Sequence, residues 1–242
     1  MARQTRIVIP GQPLHIMHRG NNRQDVFKKE DDYQRFIDDL LASREQSDCS
    51  LHAYVLMPNH FHLLLTPPTE DALSQFMQSL GRRYVRYFNN EYQRSGTLWE
   101  GRYRSSLIDS DAYLLRCSRH IEENPIRANL VTFPDEYKWS SYHHNALGLI
   151  DPLITEHESY KQIAATERAR HLAYLGLFRT VRDNKETELI STSIEKGEVL
   201  GSDRFHQKIA SEVGLKTKRE LHGGDRKSEK YKQSNQSALS IQ

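Results

Sequence analysis

Leu51-His52-Ala53-Tyr54-Val55-Leu56-Met57-Pro58-Asn59-His60-Phe61-His62-Leu63-Leu64-Leu65-Thr66-Pro67-Pro68 is the stretch on which the fold turns. Residues 51–57 predict one strand and residues 61–66 the next, with Pro58-Asn59 as the punctuation between them. Pro67-Pro68 ends the second strand, since proline supplies no ladder donor. So short a connection makes the two strands an antiparallel pair. Side chains alternate faces along a strand, so His60 and His62 point one way and Phe61 into the opposite layer. Two imidazoles on one face can grip one divalent ion; taken alone, the same pair also suits a polar sheet edge.

Upstream, residues 14–18 predict a first strand and Gly20-Asn21-Asn22 the turn after it. Tyr33, Phe36, Ile37, Leu40 and Leu41 recur at helical spacing and predict an amphipathic helix over about 31–47. Downstream, Leu73, Phe76, Met77, Leu80, Tyr84, Tyr87 and Phe88 mark a long helix over about 70–92, and Gly96 breaks it off. Residues 102–108 predict a fourth strand. Asp109, Ser110 or Asp111 can cap a helix running to about residue 123, and Asn124-Pro125 is expected to stop it. The order is strand, helix, strand, strand, helix, strand, helix. It implies an α+β fold: a ferredoxin-like antiparallel sheet with helices on one face and a small helical C-terminal region. The expected division is a first domain over 1–145 and a helical extension over 146–215, with short helices in 155–180 and 186–214. Residues 216–242 are polar, basic and aperiodic, and are expected to form a disordered tail.

The chain has 242 residues and a formal net charge of +2. No run approaches the roughly 18 apolar residues of a membrane helix, and the apolar patch Ile7-Val8-Ile9 is too short for a signal-peptide core. A cytoplasmic protein with no membrane partner is expected. Cys49 and Cys117 stand outside any paired metal spacing and are expected as small buried hydrophobes. Charge distribution is more informative than its total. Residues 82–104 hold six arginines, Arg82, Arg83, Arg86, Arg94, Arg102 and Arg104, against Glu91 and Glu100. Tyr84, Tyr87, Phe88, Trp99 and Tyr103 are interleaved with them. Guanidinium groups contact phosphates and aromatic rings stack on unpaired bases; the same pattern also fits core aromatics beneath solvated arginines. A further basic run lies between Lys216 and Lys232.

Arg119-His120-Ile121-Glu122-Glu123-Asn124-Pro125-Ile126-Arg127-Ala128 adds a second polar constellation. His120 and Asn124 are four apart and share a helical face. The Asn124 amide oxygen can serve a metal, and Asn-Pro is equally an ordinary helix stop.

Five ordered blocks carry a resemblance to a known family. They are residues 15–24 (His15-Ile16-Met17-His18-Arg19-Gly20-Asn21-Asn22-Arg23-Gln24), His60-Phe61-His62, Thr97-Leu98-Trp99-Glu100-Gly101-Arg102-Tyr103, Asn124-Pro125-Ile126-Arg127-Ala128 and Trp139-Ser140-Ser141-Tyr142. Together they resemble the REP-associated tyrosine transposases, a branch of the HUH single-strand DNA transposases. A weaker C-terminal match includes Leu200-Gly201-Ser202-Asp203-Arg204-Phe205.

That resemblance implies a nuclease that cleaves and rejoins single-stranded DNA at repeat-associated palindromes. It implies Mg²⁺ or Mn²⁺ held by His60, His62 and Asn124, acting as a Lewis acid on the scissile phosphate. It further implies a helix tyrosine as nucleophile, leaving a 5′-phosphotyrosine and a free 3′-hydroxyl. Folded hairpin DNA is the implied partner, with a monomer or homodimer as the binding unit. Arg19, Asn22, Arg23, Arg82, Arg83, Arg86, Arg102 and Arg104 are the candidate DNA contacts, with Glu100 beside them. The chain departs from the family at one position: where the pattern reads Tyr-Ile-Glu-x-Asn-Pro, it reads His120-Ile121-Glu122-Glu123-Asn124-Pro125. Tyr113, two turns earlier, is the alternative nucleophile and also an ordinary core anchor. His120 can attack phosphorus itself, act as general base for water, or mark a descendant that binds hairpins without cutting. A zinc hydrolase using His60 and His62 with His15 or His18 is a competing possibility.

Overall fold

The computed structural model describes residues 6–180, 183–214 and 217, so the expected basic tail lies, Thr217 aside, outside the described residues. The elements β1 (Leu14–Arg19), α1 (Glu30–Ser47), β2 (Ser50–Met57), β3 (His60–Thr66), α2 (Ala72–Glu91) and β4 (Arg104–Leu107) follow in chain order. The sheet order is β2-β3-β1-β4 with every neighbour antiparallel. β1 and β2 therefore run parallel with β3 between them, the split βαβ arrangement of an α+β ferredoxin-like fold. The β2–β3 register pairs Met57 with His60 and Val55 with His62, so Pro58-Asn59 is the whole connection. β4 starts later than residue 102 because Gly101 turns the chain at φ 65° and its carbonyl accepts from His18 Nε2 at 3.1 Å.

Alternation sorts the strands into two faces. Leu14, Ile16, Phe61, Leu63 and Leu65 pack with Phe36 and Leu40 of α1 and Phe76, Leu80 and Tyr84 of α2. Both helices of the split motif share this face. The buried Asp32 carboxylate ties them together. It accepts from the Lys28 and Lys29 amides at 2.7 and 3.1 Å and from the Tyr87 and Tyr92 hydroxyls at 2.9 and 2.6 Å. The appended helix, α3 (Ser110–Glu122), takes the opposite face and sets Leu114, Cys117 and Ile121 on Ala53, Val55, Met57 and Leu64. Those alternate strand positions are apolar and need cover.

Asn124-Pro125 ends α3 but does not end helical structure, contrary to the stop expected there. The chain continues as α4 (Asn124–Arg127) with Pro125 in its first turn. Proline fits that position because its missing N–H has no partner to lose there. The remaining helices are α5 (Tyr142–Leu147), α6 (Glu158–Lys161), α7 (Glu167–Arg179), α8 (Asn184–Lys196) and α9 (Asp203–Val213). The segment between α8 and α9 docks on β4: Leu200 donates to Leu107 O and accepts from the Asp109 amide, both at 2.8 Å. Asp109 Oδ2 then accepts from the Ser202 amide and hydroxyl at 3.1 and 2.9 Å. A Cβ on Gly201 would lie 2.5 Å from the Phe205 ring, so glycine alone permits this approach. Among the described residues no helix is long and apolar enough to cross a membrane.

Candidate functional site

The face covered by α3 changes character at one end of the sheet. β1 turns His15, Met17 and Arg19 to that face, and β3 turns His60 and His62, with Arg19 opposite His60 and Met17 opposite His62. The last turn of α3 carries His120 to the same place and α4 opens with Asn124. His60, His62, His120 and Asn124 line one cavity of about 370 Å³ together with Arg19, Arg23 and Arg127. Ser191, Ile194 and Glu195 of α8 supply another wall.

Each imidazole is held by a neighbour. His60 Nδ1 lies 2.6 Å from Asn59 Oδ1 and His62 Nδ1 lies 2.8 Å from His15 Nε2. The Arg127 guanidinium lies 3.3 Å from His120 Nε2. Ring centroids are 5.1 Å apart for His60–His62 and 6.2 Å apart for His15–His120. Burial pushes His60 down to about 4, helped by Arg19 and Arg127, and His15 down to about 3, helped by Arg127. Burial also holds His62 well below the usual histidine range, reinforced by the surrounding imidazoles. These rings are therefore neutral at pH 7, the form that donates a lone pair. The Asn124 Nδ2 donates to the carbonyls of His120 and Ile121 at 3.2 and 3.0 Å, which leaves the amide oxygen as its remaining polar atom.

α3 is held in register by Glu122, which is fully buried. Its carboxylate accepts from Ser141 Oγ at 2.6 Å, Asn145 Nδ2 at 2.8 Å and Tyr174 OH at 2.8 Å. Burial raises its pKa to about 7 against the pull of those donors. The helix bearing His120 is thereby tied to α5 and α7.

Residues 10–124 match the family described as "Transposase IS200 like". That stretch, just under half of the chain, is similar to an IS200-like transposase domain. A candidate REP-associated tyrosine transposase of Haemophilus influenzae is 27% identical over 111 residues, a match covering 41% of this chain and 62% of that relative. The chain thus spans less than two thirds of that curated relative. A solved REP-associated tyrosine transposase bound to a REP hairpin superposes with a TM-score of 0.53 at 17% identity. It covers 66% of this chain and 93% of that one, and supports the fold.

Within the matched stretch the expected site residues separate into groups. His60, His62, His120, Asn124, Arg19 and Arg23 meet in the cavity. Tyr113 does not line it; that ring packs beside the α3 core with the Arg116 guanidinium 5.5 Å above it. Asn22 and Arg23 adopt φ values of 53° and 57° in an exposed loop at the cavity's rim, where Asn59 Nδ2 donates to Arg23 O. Glu100 pairs with Arg19 at 3.7 Å. Arg102 is exposed, and Arg104 donates to Glu195 O at 3.0 Å. Arg82, Arg83, Arg86 and Tyr87 of α2 form a separate groove with Arg35 of α1, on the two helices that cover the face opposite the histidines.

His18 cannot join His60 and His62 on one ion, because it lies on the opposite face, stacked on Trp99 at 4.6 Å. His15 turns its Nε2 to His62. Among the described residues no three histidine, cysteine, aspartate or glutamate side chains gather into a metal-holding group. These placements overturn the zinc site with His15 or His18 as third ligand. Arg127, Asn59 and the α8 residues were not singled out from the sequence. Arg127 alone left a signal there, lying seven residues, two helical turns, beyond His120.

Proposed function

We propose that this protein binds folded single-stranded DNA hairpins and cleaves and rejoins one strand at repeat-associated palindromes, using a divalent ion. One observation carries the proposal: His60, His62, His120, Asn124 and three arginines line a single cavity. The donor set suits an ion. The Nδ1 atoms of His60 and His62 are engaged by Asn59 and His15, which leaves both Nε2 atoms as ligands, and Asn124 keeps its amide oxygen. Histidine ligands with anchored second nitrogens are a recurrent feature of metal sites. Bound there, Mg²⁺ or Mn²⁺ supplies Lewis-acid polarisation of the scissile phosphate. Arg19, Arg23 and Arg127 bind and orient the phosphodiester. Arg82, Arg83, Arg86, Arg102 and Arg104 hold the backbone of the flanking DNA, and Asn22 with Glu100 lies at the guide sequence. The helices of 146–215 act as an extension that walls the site through α8.

At the nucleophile position, His120 Nε2 attacks phosphorus as the P–O3′ bond breaks; the 3′-oxygen takes a proton from solvent water and the phosphorylated imidazole releases its Nδ1 proton to solvent. A second function is favoured by the 3.3 Å contact of Arg127 with His120 Nε2. Guanidinium only donates, so it occupies the lone pair that attack requires. On that basis the protein binds hairpins without cutting.

The experiment is cleavage of end-labelled hairpins from the flanking DNA with Mg²⁺ or Mn²⁺, using native protein, His60→Ala and His120→Tyr. Metal-dependent nicking by native protein, lost in His60→Ala and accompanied by an acid-labile adduct, supports the nuclease. Binding without nicking, with an adduct only in His120→Tyr, selects the disarmed binder. Absence of hairpin binding by all three rejects both.

A further inference from the structure

His15 opens the first of the sequence blocks, and in the proposed chemistry it touches neither the ion nor the DNA. It is wholly buried, its Nε2 lies 2.8 Å from His62 Nδ1, and its own Nδ1 is buried without a hydrogen-bond partner. His62 has Met17 and Val55 as its cross-strand neighbours. Neither a thioether nor a pair of methyl groups offers a strong hydrogen bond that selects which ring nitrogen faces it. His15, paired with Leu64, is diagonal to His62 on the same face, a spacing that long side chains bridge. It therefore supplies the polar contact that sets the ring.

We propose that His15 is a positioning residue that holds the His62 ring with Nδ1–H toward itself and Nε2 toward the cavity. It rests on the ion site proposed above, since that is where His62 Nε2 is used. When His62 donates from Nδ1, His15 Nε2 accepts and the His15 proton sits on Nδ1, where nothing receives it. A buried unpaired donor costs stability, and an aliphatic side chain would avoid that cost. An imidazole that bears this cost in so enclosed a position points to a use at the neighbouring His62.

The test compares native protein with His15→Leu, His15→Gln and His15→Asn. Mn²⁺ affinity is read from the free-ion EPR signal, the His62 tautomer from ¹⁵N NMR of the metal-free protein, and stability from Tm. Gln carries an acceptor as far out as Nε2, whereas Asn falls short. His15→Leu is expected to weaken Mn²⁺ binding about 10- to 100-fold with Tm unchanged or raised, and His62 should lose its uniform Nδ1–H form. His15→Gln should restore both readouts; His15→Asn should not. A structural role alone would lower Tm and leave the Gln and Asn variants alike. Native-like Mn²⁺ affinity and an unchanged His62 tautomer in His15→Leu overturn the proposal. If His15→Leu fails to fold, equal behaviour of the Gln and Asn variants does so. If native protein binds no Mn²⁺, the ion site fails, and the His62 tautomer in the variants decides the role of His15 by itself.

Discussion

The two faces of the sheet use the same strands and spend their alternate positions differently. On the α1/α2 face, β1 and β3 present Leu14, Ile16, Phe61, Leu63 and Leu65 beneath Phe36 and Tyr84. On the α3 face they present Met17, Arg19, His60 and His62 around a cavity, with His15 buried behind His62. One face is dry and close-packed; the other leaves polar groups facing a space. A sheet can carry a site at little cost to its core because each strand position serves only one face. Stability and chemistry are thereby assigned to neighbouring residues that do not touch the same layer.

The largest expected effect tests that division of labour. Phe36→Ala should cost about 3–5 kcal/mol, while His60→Ala should cost less than about 1 kcal/mol, both read from urea unfolding. Similar costs for the two would abolish the distinction between the faces.

A smaller effect concerns buried histidines away from the cavity. His52 and His18 are held near 4, mainly by burial. Their unfolded value is 6.5, so between about pH 6.5 and 4 the unfolded chain binds protons that the folded one does not. Stability is thus complete above pH 6.5 and falls as pH drops through that window. His52, bonded to Thr155 O at 2.7 Å and Thr66 Oγ1 at 2.8 Å, contributes one such proton. The unfolding free energy of His52→Gln, from urea titration, should therefore fall less steeply, by up to about 1.4 kcal/mol per pH unit. Identical slopes for native and variant would mean that His52 is protonated in the folded protein.

The smallest effect lies on the far side of the molecule. Arg82→Ala and Arg86→Ala should weaken hairpin binding modestly and each reduce the log K against log salt slope by about 1. An unchanged slope would confine DNA to the cavity face.

Much of this was legible in the chain. The 51–66 hairpin announces itself by alternation around Pro58-Asn59, and α2 by apolar residues three and four apart. His60, His62, His120 and Asn124 share a cavity as their motifs imply. The turn after Pro125 was missed because proline only disfavours helical geometry in the residue before it, Asn124, which nonetheless opens α4, and favours it for those that follow. α8 was visible only as a helix; nothing in its composition said that it walls the site. Its placement depends on Gly201 packing against Asp109 and Phe205, a contact between segments almost a hundred residues apart.

The sequence by itself determined the order of elements, the face on which each strand residue lies and the histidine at position 120. These follow from the local periodicity of strand and helix, which neighbouring residues dictate. Only the tertiary structure decided that His15 reaches His62, that Arg127 reaches His120 and that Arg82 and Arg86 lie on the helix covering the other face. Those contacts depend on strand register and on how helices cross the sheet, and both are settled by long-range packing that no local pattern encodes.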